Sequence, residues 1–167
     1  MSGRKNLSRE VDFARIRFAS AEDVSELTKL INAAFVVERP VFDGDRINER
    51  GTSEFLEKGK FLIAEDSSGT AGCVFCELRG ARGYLGLLAV DPPRQGTGLG
   101  RKLVAAAEDY FRGVGCSAVD LRVISPRNPL PPFYRHLGYV EIGTAPFSPS
   151  TQTKVPTHYI LMSKQLI

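Results

Sequence analysis

Cysteine and histidine are scarce in this chain of 167 residues, with three of the former and two of the latter. That leaves little material for a metal centre or a redox relay, and none is expected. Lysine and arginine never gather into a block and the net charge is only +3. The concentrated basic stripe of a nucleic-acid binder is therefore excluded, while attraction of an anionic ligand is not. No apolar run is long enough to span a membrane, and no apolar signal segment opens the sequence. A cytoplasmic protein with neither membrane nor nucleic-acid partner is the expectation. What is present is ordinary for a soluble globular chain, 43% hydrophobic and 25% charged residues, in a length that suits one domain with a real core. The polar opening "MSGRKNLSREVD" reads as a loose leader over residues 1–12, ahead of a single domain over 13–167.

Two of the cysteines, Cys73 and Cys76, form a C-x-x-C inside "TAGCVFCEL". That segment reads as a strand, on which positions three apart point to opposite faces. A redox pair would want a helix N-terminus to lower a thiol pKa, and none is suggested there. Both cysteines are expected to be small buried side chains. Cys76 and Cys116 have no activating neighbour that would make either an acyl carrier.

The pattern of the chain is mixed α/β. "FARIRFA" alternates as a first strand, and a helix follows from Ser20 as N-cap, with Asp23 near the capping-box position, where a longer acid fits better. Its apolar residues Val24, Leu27, Leu30, Ile31, Ala34 and Phe35 keep helical spacing. Irregular polar residues 39–51 lead into a short helix over "TSEFLEKG". "KFLIAED", "AGCVFCELRG" and "YLGLLAV" then read as an antiparallel meander joined by tight turns. The strongest helix is "LGRKLVAAAEDYFRGVG", with a broad apolar face from Leu99 to Val114. "CSAVDLRVI" is a strand, so residues 84–124 form a β-α-β unit whose strands should run parallel. A short helix around Phe133–Leu137 with Gly138 as C-cap, a strand "YVEIG", a turn-rich loop "TAPFSPSTQTKVP" and a last strand "THYILMSKQL" complete one mixed, mostly antiparallel sheet flanked by helices.

Between the third meander strand and the long helix stands "DPPRQGTGLGR". A single glycine would serve a tight turn; Gly96, Gly98 and Gly100 suggest that backbone must come very close to a ligand. The dinucleotide fingerprint needs a third glycine one residue later and a unit that opens its domain. No Walker loop can be drawn through these residues. A helix start carries unpaired N–H groups and about half a positive charge, so a diphosphate held there meets several donors at once. Arg94, Arg101 and Lys102 add local positive charge.

With its preceding strand and following amphipathic helix, "VDPPRQGTGLGRKL" resembles the signature of the GNAT-type N-acetyltransferases. Gln95, Gly98 and Gly100 fill the pattern of Arg or Gln, two residues, Gly, one residue, Gly or Ala. The order of elements from about Phe13 to Leu166 is also similar to that superfamily. The resemblance implies an acyl-CoA N-acyltransferase (GNAT-like) fold, with acetyl-CoA as co-substrate and a small-molecule or peptide amine as acceptor. The backbone of Leu88, Ala89 and Val90 would pair with the pantetheine arm. The segment Gln95, Gly96, Thr97, Gly98, Leu99, Gly100 and Arg101 would hold the pyrophosphate. Tyr134, in "PFYRHLGY", matches the tyrosine that protonates the departing thiolate. The asparagine seven residues before that tyrosine falls on Arg127, with Asn128 next to it, and both remain candidates for the coenzyme.

Several relatives carry a glutamate near the start of the strand before the glycine loop. Here Tyr84 stands about there, and "YLGLLAV" contains no carboxylate. Glu77 on the neighbouring strand is the substitute base, with a relayed water as the alternative. Acceptor choice would lie in "VERPVFDGDRINERG", where Glu38, Asp43 and Asp45 face an amine or simply solvent, and in the late loop near His158. The competing functions are an acyl-CoA-binding regulatory module without efficient transfer and a nucleotide-binding oxidoreductase. Monomer and homodimer both stay open.

Overall fold

In the segment "KFLIAED" the four residues Phe61 to Ala64 are apolar without a break, so a strand built from them must be covered on both faces. The structure, a computed structural model, describes residues 15–38, 44–125, 130–147 and 153–166. It forms that strand as β2 (Lys60–Asp66). Phe61 and Ile63 enter one buried cluster, Leu62 and Ala64 the other. The same alternation in β3 (Gly69–Arg79) sends Cys73 and Phe75 to the first cluster and Val74 and Cys76 to the second. The C-x-x-C thus straddles the sheet, as its spacing requires. All three cysteines are free and buried. Burial pushes the Cys76 thiol up to about 12 and raises that of Cys73 as well, so neither is poised to ionise.

The remaining strands are β1 (Arg15–Phe18), β4 (Arg82–Val90), β5 (Ala118–Ser125), β6 (Val140–Pro146) and β7 (His158–Gln165), and the sheet order is β1-β2-β3-β4-β5-β7-β6. Only β4 and β5 run parallel; every other neighbouring pair is antiparallel. Helices α1 (Val24–Ala34) and α2 (Glu49–Lys58) cover one face, through Leu27, Leu30, Ile31 and Phe55. Helices α3 (Leu99–Gly113) and α4 (Leu130–His136) cover the other, through Leu103, Val104, Phe111 and Tyr134. A Cβ on Gly83 would sit 2.5 Å from the Phe111 ring, so glycine at that point of β4 sets how closely α3 lies on the sheet.

Local chemistry moves several boundaries from where the sequence puts them. The first helix opens with a 3-10 turn at Ala21–Asp23, and the Asp23 carboxylate accepts the Ser20 amide at 2.8 Å. The short acid suffices because Arg17 on β1 grips it with two hydrogen bonds, at 2.9 and 2.8 Å. Helix α2 starts at Glu49 rather than Thr52, since the Asn48 side chain caps it by accepting the Gly51 amide at 2.8 Å. Helix α4 begins at Leu130, earlier than expected, with Pro131 and Pro132 in its first turn where missing amides cost nothing. Gly138 ends it at φ +97, and the Tyr139 amide donates back to the Tyr134 carbonyl at 3.0 Å. The strand expected at "YVEIG" continues to Pro146. On α3, Val114 lies past the helix end and is half exposed. Glu108, by contrast, is buried, taking the Tyr139 hydroxyl at 2.9 Å and the Lys164 ammonium at 2.9 and 3.2 Å. That charge is tolerable because both carboxylate oxygens are satisfied. The expected leader and residues 148–152 of the late loop fall outside the described residues.

The Arg17 guanidinium, followed by the Ser20 amide, holds the Asp23 carboxyl at about 2, below its ordinary 3.8. A depressed folded-state pKa stabilises above the unfolded value, and the gain disappears as pH falls from about 4 through about 2. After screening at this half-open site the contribution is about 1 kcal/mol. Urea unfolding at pH 6 and pH 2.5 should show a smaller acid-induced loss in Asp23→Asn than in the wild type. Equal losses in both would show that the pair does not hold β1 to α1.

Candidate active site

Strands β4 and β5 pair over three residues, Arg82–Tyr84 against Ala118–Asp120, and then part. At the closed end the Arg82 guanidinium bonds both Asp120 oxygens at 2.7 Å and the Ser163 hydroxyl at 2.9 Å, joining β4, β5 and β7. Beyond it β4 is bulged. Cys73 pairs with Ala89 but Phe75 with Gly86, which leaves one extra residue on β4. Leu87 at this point has φ +46, a left-handed conformation for a branched residue, and the Cys73 thiol donates to its carbonyl at 3.6 Å. From Leu85 onward the outer edge of β4 has no strand beside it among the described residues. Leu88, Ala89 and Val90 lie along that open edge, where an extended ligand carrying amides can add as a strand would.

The glycine turn continues directly from this edge. The Asp91 amide donates to the Ala71 carbonyl at 2.9 Å, and a 3-10 turn at Pro92–Arg94 follows. Arg94 does not face a ligand with unspent charge. It donates to both Asp66 oxygens, at 2.6 and 2.7 Å, and to Asp91. The expectation that Arg94 adds positive charge to the turn is corrected: two carboxylates neutralise it, and it ties the turn to the end of β2. The Gln95 side chain donates to the Val90 carbonyl at 3.2 Å and the Thr97 hydroxyl to the Arg94 carbonyl at 2.6 Å. Both therefore shape the turn from inside.

Gly96 and Gly98 have φ +78 and +84, which L side chains rarely adopt, and a Cβ on either would have no heavy atom within 4 Å. The glycines are needed for dihedral reasons, and the space beside them is open. Gly98 is the N-cap of α3, and the first helical bond is Lys102 N–H to its carbonyl at 3.2 Å. The amides of Leu99, Gly100 and Arg101 thus have no acceptor within the helix. Arg101 and Lys102 are exposed beside them. A turn with open space over bare amides, on a helix of 15 residues, fits a diphosphate.

Where β4 and β5 separate lies a cleft of about 370 Å³, within the range of small-molecule sites. From the α4 side Tyr134 reaches it, buried at 4% exposure and edge-on to Tyr139. From the sheet face that α1 and α2 cover come Glu77, Arg79, Tyr84, Arg122 and Tyr159. Glu77 stands opposite Tyr84 in register, and Arg79 donates to it at 3.1 Å. Burial raises the Tyr84 phenol, an effect that Arg122 and Arg79 partly offset. Of the candidates named from sequence, Tyr134 and Glu77 both line this cleft, from opposite faces of the sheet, and the turn residues lie together at the start of α3. Arg127, Asn128 and Asp43 lie outside the described residues. Asp45 and His158 are exposed, and neither is among the residues lining the cleft. Among the described residues no cluster of His, Cys, Asp and Glu has metal-binding geometry, and no helix is long and apolar enough to cross a membrane.

A model of the Acetyltransferase (GNAT) family matches residues 24–139. The chain belongs to that family. Among curated proteins it is 27% identical to the mycothiol acetyltransferase of Propionibacterium freudenreichii subsp. shermanii, over 77% of this chain and 45% of that protein. It is 30% identical to the mycothiol acetyltransferase of Clavibacter michiganensis, over 56% of this chain and 31% of that one. The chain therefore spans less than half the length of these relatives. Among solved structures, the ribosomal-protein-S18-alanine N-acetyltransferase of Escherichia coli superposes with a TM-score of 0.74 at 19% identity, covering 92% of this chain and 94% of that one. A protein of Salmonella typhimurium whose structure holds its cofactor acetyl-CoA gives 0.73 at 19% identity, covering 93% of this chain and 95% of that one. At these identities the likeness is one of fold, and it is the mixed, mostly antiparallel α/β fold expected from the sequence.

Sequence reasoning missed the bulge at Leu87 and the cations of the cleft. Arg79 was within reach of it, because residues two apart on a strand share a face and Glu77 was already a candidate. Nothing local marks Leu87, whose conformation comes from the mismatch of β3 and β4. Gly98→Val, which forces a β-branched residue into the left-handed region and fills the open space over the amides, should weaken coenzyme A binding by at least tenfold. Calorimetric titration of coenzyme A checks this, with circular dichroism to confirm the fold. Undiminished affinity would remove the turn from the site.

Proposed function

We propose that residues 13–167 form one N-acetyltransferase domain that transfers the acetyl group of acetyl-CoA to a primary amine, by direct attack of the neutral amine on the thioester carbonyl. Acetyl-CoA supplies the activated acyl group. The observation that carries the reading is the continuity of three features in this member of the family. A glycine-opened helix start, an unpaired edge of β4 and a cleft between parted strands follow one another without interruption.

In this reading the amides from Gln95 to Arg101 receive the pyrophosphate and the β4 edge at Leu88, Ala89 and Val90 pairs with the pantetheine arm. An amine of pKa near ~10 is mostly protonated at neutral pH, so its proton must leave before attack. Glu77, the carboxylate lining the cleft, accepts it directly or through water, and Arg79 keeps that carboxylate in place. Tyr134 holds the proton for the departing sulfur on the opposite side of the sheet, where a phenol donates to a thiolate at small energetic cost. Acid and base approach the gap from opposite faces, so neither has to neutralise the other.

The ion pair of Glu77 with Arg79 and the lack of a carboxylate on β4 favour a second reading, an acyl-CoA-binding module without efficient transfer. Turnover of acetyl-CoA against a panel of primary amines separates the two. The enzyme reading expects free thiol to appear with at least one amine; tight coenzyme binding with no thiol release above background supports the module. With an active acceptor, Tyr134→Phe and Glu77→Gln should each lower turnover by about 10²-fold while coenzyme affinity stays within a few-fold. The Glu77→Gln loss should be rescued by raising pH, whereas that of Tyr134→Phe should not. Unchanged rates would make both residues structural.

A further inference from the structure

The described residues that line the cleft include the cations Arg46, Lys58, Arg79 and Arg122, against the one carboxylate of Glu77. An amine acceptor that is itself a cation would enter such a cleft against the field. All four lie over aromatic rings, Arg79 over Tyr84 at 3.7 Å and Arg46 over Phe35 at 5.8 Å among them. The Arg122 guanidinium carbon lies 4.2 Å from the centre of the Tyr159 ring, and its charge partly offsets the rise that burial gives the Tyr84 phenol. The Lys58 ammonium lies 5.9 Å from the Phe55 ring centre. Phenols and phenyl rings orient a cation and shield it from water without cancelling its charge. Arg79 differs, because Glu77 offsets it.

Arg122 is the best placed of the four. It stands on β5 two residues beyond the last pair with β4, Tyr84 with Asp120, and so at the point where the strands separate. Its face of the sheet is the one shared by Glu77 and Tyr84, opposite the face from which Tyr134 arrives. An acceptor lying there would present its amine to the gap and any second group to Arg122 and Lys58. A guanidinium holds a carboxylate by two parallel hydrogen bonds, with orientation as well as affinity.

We infer that the acceptor is a primary amine that also carries a carboxylate, which Arg122 binds with Lys58 supporting it, while the amine is turned toward Glu77. This rests on the acetyltransferase reading and names its substrate class. Of the acidic residues from which sequence left a choice between an amine and solvent, Asp45 is exposed and is not among the residues lining the cleft.

The test uses the full chain saturated with coenzyme A and follows binding by calorimetry or NMR, so that it does not depend on turnover. The probes are α-amino acids and ω-amino acids of increasing length, such as glycine and γ-aminobutyrate, each against its own amide. At least one acid should bind tenfold to a hundredfold more tightly than its amide. In Arg122→Gln that ratio should fall to near one, and in Lys58→Gln it should fall by a few-fold. Equal binding of acid and amide across the series, or an acid preference that survives Arg122→Gln, overturns the inference. So does a loss of coenzyme affinity in Arg122→Gln with no effect on the acids, which would assign the cation to the coenzyme. An acid preference without thiol release would leave the inference standing and sink the transfer reading instead.

Discussion

Two parallel strands that pair over three residues and then separate are the constraint on which the rest of this molecule depends. Parallel pairing normally continues along a sheet, and a buried strand edge left without a partner strands its amides and carbonyls. Here the separation is built from both ends. Arg82, Asp120 and Ser163 clamp the closed end across β4, β5 and β7, and the bulge at Leu87 turns the open end of β4 away. The edge so exposed calls for a ligand that is itself amide-bearing and extended. The cleft beside it is lined from both faces of the sheet, by Tyr134 on one side and Glu77 on the other.

The start of α3 is the second element of the same arrangement, since the chain leaves the open edge of β4 and enters the turn within a few residues. Its backbone is fixed by neighbours rather than by the ligand. Arg94 is neutralised by Asp66 and Asp91, Gln95 is tied to Val90, and Thr97 to Arg94. Such a turn loses little further freedom when an anion arrives, and a ligand met by a preformed site keeps more of its interaction energy as affinity. The cations of the acceptor cleft follow a different logic. Arg122 and Lys58 rest on aromatic rings, which hold a charge in position without neutralising it.

Much of this was legible in the sequence because it is carried by single residue types. Alternation through "KFLIAED" and "AGCVFCEL" gave two covered faces and set Cys73 and Cys76 on opposite sides. The helical face from Leu99 to Phe111 is buried as its spacing requires, whereas Gly96 and Gly98, read from sequence as room for a ligand rather than as turn glycines, have positive backbone angles that already require glycine. What escaped was pairwise. The bulge at Leu87 shows only in how β3 and β4 pair, and the fate of Arg94 depends on Asp66, 28 positions away. Nothing in the sequence marks Glu108 as buried, because its partners, Tyr139 and Lys164, stand 31 and 56 positions further on. Asn48 as the cap of α2 was a local signal passed over among polar neighbours.

The most direct measurement of the central claim is an amide NMR titration of the isotopically labelled chain with coenzyme A. Binding as described here moves the amide resonances of Gly96, Gly98, Leu99, Gly100 and Arg101, together with those of Leu88 to Val90, at one common affinity. It also slows their exchange with solvent. If coenzyme A binds while those amides keep their shifts and the changes gather elsewhere, the helix start does not hold the diphosphate and the site built on it is wrong.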